Sequence, residues 1–158
     1  MIGVFSVIVL FNFMPFKMNN RLTGNQILHI WFFTIALQSN FDIFIDLKYH
    51  GYWYFTEGAD WKGILVHTLL LPPVNMMFLN WYPLRRSISK KIFYFIFWIL
   101  AILLYEMMTL LPEPWGYFHY SWWNLWHSAF LDPFLLLIIL GYYKFVCKIE
   151  EKSLSRKN

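Results

Sequence analysis

Between Ile92 and Leu111 the chain runs for 20 residues with a single charge, Glu106. A helix of that length rises about 30 Å, the thickness of a bilayer's hydrocarbon core. A helix in a soluble core keeps a polar face, and this run has none. Comparable apolar stretches recur at about 1–16, 26–45, 63–82 and 123–146. The expected fold class is therefore all-α: an integral membrane bundle of five transmembrane helices in a single domain, 1–147. A polar, basic tail follows at 148–158. Cys147 is the only cysteine, which excludes a disulfide framework and a thiolate metal site. Phosphate-cradling glycine loops, serine-nucleophile elbows and nucleic-acid-binding motifs are absent, so no nucleic-acid partner is expected.

The first stretch, Met1 to Phe16, lacks the charged start and small-x-small cleavage site of a signal peptide, and a second apolar helix follows at once. It reads as a short helix of about 24 Å. In the third helix, Pro72-Pro73 withdraws the donors that would bond the carbonyls of Thr68 and Leu69, which predicts a kink. Asn75 and Asn80 are the expected partners for backbone groups freed there. Two segments, Asp46 to Lys62 and Pro112 to Trp122, are rich in aromatics. Tyr52, Trp53, Trp115, Trp122, Trp123 and Trp126 have the composition of an interfacial belt.

Orientation follows from the basic residues. Eleven of the 13 Lys and Arg fall after helix one, after helix three or at the C-terminal end, while the aromatic loops hold only Lys48 and Lys62. The positive-inside rule then puts the N-terminus outside and the C-terminus inside, with the basic tail cytoplasmic. An internal repeat is also visible. Asn12-Phe13-Met14-Pro15 matches Asn80-Trp81-Tyr82-Pro83, and His67 to Pro73 matches His127 to Pro133, always on helices running inward. Aligned in this way, helix one lacks the outer turns that carry His67 in helix three. Either it is short or the true start lies upstream of Met1.

At this topology six ionisable groups occupy the outer half: Asp42, Asp46, His67, Glu106, His127 and Asp132. Gln38, Asp42, Asp46 and His50 form one polar stripe if helix two continues. A carboxylate facing lipid costs about 2.5–3.5 kcal/mol at mid-helix, so these groups should face inward around a pocket open to the outside. Three uses fit. They form a hydrogen-bonded network joining the helices. They hold a divalent metal, with Asp42, Asp46 and His127 the candidate ligands. Or a His–carboxylate pair performs acid–base chemistry.

Asp42-Ile43-Phe44-Ile45-Asp46-Leu47-Lys48-Tyr49, Trp53-Tyr54-Phe55, Asp60-Trp61, Asn80-x-x-Pro83 and Tyr105-Glu106 together resemble a family of small multi-pass membrane proteins from spore-forming bacilli. The resemblance covers about Pro15 to Val146. It implies a bacterial plasma membrane and no particular activity. The expected function is that of a structural, interacting or ligand-binding membrane protein. Its partners would be membrane lipids, a second copy or another membrane protein. The alternatives are a small intramembrane enzyme acting on a lipid or isoprenoid, and a transporter component.

Overall fold

The computed structural model describes residues 2–58, 60–112 and 114–156. Met1, Lys157 and Asn158, which belong by sequence to the first helix and the basic tail, lie outside the described residues. Five helices form the bundle: α1 Ile2–Met18, α2 Gly24–Lys48, α3 Trp61–Trp81, α4 Ile88–Thr109 and α5 Leu125–Ser155. The last four are long and apolar enough to cross a membrane, and α1 is a shorter apolar helix.

Local chemistry sets the ends. Thr23 accepts a hydrogen bond from the Gln26 amide while the Gln26 side chain accepts from the Thr23 amide, so α2 starts at Gly24, before the predicted Gln26. Asn124 and His127 cap α5 in the same reciprocal way. At its far end α5 continues to Ser155, through most of the segment expected as a tail. Glu150 explains the extension. Its carboxylate accepts from Gln26 Nε2 (2.5 Å), Asn25 Nδ2 (2.7 Å) and Thr23 Oγ1 (3.3 Å), tying the last turns of α5 to the cap of α2.

The Pro72-Pro73 break appears as a π-helical turn, Val66–Leu70, inside α3. The carbonyl of Leu69, deprived of its donor, accepts from Asn12 Nδ2 of α1 at 2.6 Å. Asn75 and Asn80, expected in that role, do other things. Asn75 Nδ2 donates to Thr34 Oγ1 on α2, and Asn80 Nδ2 donates to the Met18 carbonyl at the end of α1.

Helix α3 is the central stave, packed on α1, α2 and α5. Half of its apolar window (50%) is buried, against 11% for α4, whose Phe93, Phe97, Leu100 and Leu104 face outward. Large apolar side chains left exposed along a whole helix face are stable in lipid and costly in water.

The two aromatic loops correct the belt reading. Tyr52–Tyr54 (β1) and Phe118–Tyr120 (β2) pair as antiparallel strands, Tyr52 opposite Tyr120 and Tyr54 opposite Phe118. Tyr52, Tyr117, Phe118 and Trp123 are buried beneath this ribbon, whereas Trp115, Trp122 and Trp126 remain exposed. The carbonyl of Gly51 accepts from the amides of Ser121 and Trp123, and a side chain at Gly51 would press on Ile45 and Trp122. The ribbon closes one end of the bundle. At the other end Arg21 Nη1 donates to the Tyr82 carbonyl at 2.6 Å, close to the Asn80–Met18 and Glu150 ties.

Candidate functional site

Between a core cluster around Val66, Leu70, Phe118 and Trp123, under the ribbon, and a second around Ile30, Met76, Phe78 and Ile139 lies a cavity of about 330 Å³. Every long helix contributes to its wall: Thr34 and Gln38 from α2, Asn75 from α3, Glu106 from α4, and Ser128 and Asp132 from α5. The ribbon roofs it with Tyr52, Tyr54 and Phe118. The remaining wall is chiefly Leu, Ile, Val, Met and aromatic side chains. A largely apolar chamber with a few converging polar groups has the make-up of a small-molecule site.

The predicted polar residues divide into two groups. The first is built on a π-helical turn, Ile43–Lys48, that ends α2. This turn buries both Asp42 and Asp46. Asp42 accepts a short hydrogen bond from the Tyr52 hydroxyl and a long one, 3.5 Å, from Gln38 Nε2. His67 Nε2 lies 2.8 Å from Asp42 Oδ2, an ion-pair distance, with the ring turned off the hydrogen-bond line. The helix stops at Lys48, and His50 takes a left-handed φ of 50°, so it does not extend the stripe of Gln38, Asp42 and Asp46. The edge of the Tyr54 ring meets the His67 ring at 5.1 Å. Asp42, Asp46 and His67 are absent from the cavity wall, where Tyr52 and Tyr54 stand in front of them. Burial, then the Asp42 carboxylate, raises the hydroxyls of both tyrosines far above their ordinary range, so each stays a donor.

The second group faces the cavity. Glu106 Oε1 accepts from Tyr120 Oη (2.5 Å) and from Ser128 Oγ (2.6 Å), and Ser128 in turn accepts from Trp123 Nε1 (2.9 Å). Burial, then this hydrogen bond to Glu106, raises the Tyr120 hydroxyl above its ordinary value. Asp132, one helical turn beyond Ser128, has a buried Oδ2 with no hydrogen-bond partner among the described residues.

His127 joins neither group. Its Nδ1 accepts from the Asn124 amide at 3.2 Å and its ring lies 5.0 Å from that of Trp123. It is not gathered with Asp42 and Asp46 as a third ligand. Among the described residues no three His, Cys, Asp or Glu side chains are placed to hold a metal ion.

Sequence reasoning missed Tyr52, Tyr120 and Ser128. The tyrosines were visible as an alternation, Tyr-Trp-Tyr and Phe-His-Tyr, that marks paired strands. Ser128 was visible as the neighbour, four residues back, of Asp132 on one helix face.

Fold and cavity together define a helical bundle of the multi-pass membrane type around a largely apolar cavity with a few polar groups in its wall. No family model matches the chain, and neither the curated proteins nor the solved structures contain a match to it.

Proposed function

We propose that this protein is a membrane-embedded binding protein for a small amphiphilic molecule held in the central cavity. The observation that supports this reading is the cavity itself: about 330 Å³, apolar over most of its wall, with a few polar groups contributed by four helices and the ribbon. A chamber kept open in a close-packed bundle forfeits dispersion contacts, and a ligand restores them. Segregation of the basic residues supports an orientation with the ribbon outside and the tail inside, and the resemblance to small membrane proteins of bacilli supports a bacterial plasma membrane. The volume is at the small end of the range for ligand pockets, about 300–1,000 Å³, which fits a single short chain or a small ring system.

The test is mass spectrometry of the protein purified in mild detergent. A small amphiphile should be retained in a fixed ratio. Filling the cavity by Val74→Phe or Ala101→Phe should displace it while the protein stays folded. Retention in an unchanged ratio by both variants, or nothing retained by the wild type from its native membrane, would refute the reading.

A further inference from the structure

Among the described residues the cavity wall carries two carboxyl groups, Glu106 and Asp132, and no Lys, Arg or His. The two face the chamber from different helices, α4 and α5. Both donors that reach Glu106, Tyr120 and Ser128, bond the same oxygen, Oε1, and no described residue donates to Oε2. Asp132 makes no hydrogen bond or ion pair with any described residue, and its Oδ2 is buried. A network whose purpose was to join helices would satisfy its members, because an unpaired polar group in a low dielectric is costly. This one is incomplete on the side that opens into the cavity. What it lacks on that side is a hydrogen-bond donor, and a cationic donor would also supply counter-charge to the two acids.

The rest of the chamber suits such a charge. The rings of Tyr52, Tyr54, Tyr105, Tyr117, Phe118 and Trp123 line the same outer part, and aromatic faces attract cations. Along α5, Leu135, Leu136 and Ile139 follow Asp132, so the α5 side of the wall turns apolar one turn beyond the acid. Polar end outward and apolar body inward is the order that an amphiphile takes in a membrane.

We propose that the ligand is a lipophilic amine, its ammonium group seated between Glu106 and Asp132 under the aromatic ribbon and its hydrocarbon part against the inner wall. This rests on the cavity being a binding site, and it adds the charge of what binds. The two carboxylates supply the counter-charge, and Tyr120 and Ser128 hold Glu106 in place.

Three probes of equal chain length separate the possibilities: decylamine (protonated at neutral pH), decanol and decanoate. Each is titrated calorimetrically into the protein in a neutral maltoside detergent. The amine should bind about tenfold or more tighter than the alcohol, and decanoate weakest. Asp132→Asn should abolish the preference for the amine while leaving the affinity for decanol, and Asp132→Glu should restore it. If Asp132→Asn fails to fold, Glu106→Gln carries the same comparison. Equal binding of all three probes would overturn the amine assignment and leave the binding reading standing. So would an amine preference that survives in both variants. Binding of none would overturn both.

Discussion

Tyr52 and Tyr54 stand two residues apart on one strand, both with hydroxyls held in the donor form, yet among the described residues only Tyr52 has a hydrogen-bond partner for its hydroxyl. Its hydroxyl meets buried Asp42 beside His67, whereas the Tyr54 hydroxyl bonds no described residue. Tyr52→Phe should therefore cost about 1–3 kcal/mol, the range for stranding a buried acceptor. Tyr54→Phe should be near neutral, and melting in mild detergent compares the two. Outside the membrane-spanning segments, Asp60 caps α3. The Lys62 amide, aided by the Thr56 hydroxyl, holds its carboxyl below the ordinary value. A depressed folded value means that its contribution is fully present above the unfolded value of about 4 and is lost as pH falls from there through the lower, folded value. Asp60→Ala should melt below wild type at neutral pH, with the gap closing as the solution is acidified. A gap that persists in acid would show that the carboxylate's charge is not what matters.

Elements gain their stability here from partners far off in the chain. The two prolines of α3 strand the Leu69 carbonyl, and Asn12 on α1 satisfies it. Asn12→Ala should lower stability by about 1–3 kcal/mol. In a Pro73→Ala background, where the helix regains its own donor, the same change should cost less. A double-mutant cycle with no coupling would refute the assignment. That a donor was needed could be read from Pro72-Pro73. Which asparagine supplies it could not, because Asn12, Asn75 and Asn80 are chemically alike and only packing puts Asn12 against the break. The C-terminal turns show the same dependence. Lys148 to Ser155 is too polar to be placed in a bundle by composition, and Glu150's bonds to Asn25 and Gln26 hold it helical. Glu150→Ala should fray these turns, seen as faster amide exchange from Lys148 to Ser155 with α4 unchanged.

Across the whole molecule, the ties at Arg21–Tyr82, Asn80–Met18 and Glu150–Gln26 gather at one end and the ribbon at the other. This polarity gives a test of orientation. With Cys147→Ser removing the single thiol, Glu57→Cys should react with an impermeant maleimide in intact cells, and Ser89→Cys only after the membrane is opened. The reverse pattern would overturn the orientation read from the basic residues. The repeat is less regular in space than in sequence. His67 sits in a π-helical turn beside Asp42, while its counterpart His127 caps its own helix. Helix number, the apolar spans and the inward pull on the carboxylates were determined by the sequence alone. Apolar length and the cost of a charge in lipid are local quantities that need no knowledge of neighbours. Only the tertiary structure decided that the aromatic loops pair into a roof, and that Asp42 and Asp46 lie behind Tyr52 and Tyr54. It alone decided that Glu106 and Asp132 line one cavity. Those outcomes depend on which donors and rings meet across the bundle, and an alternation within one stretch of chain does not say which distant stretch it will meet.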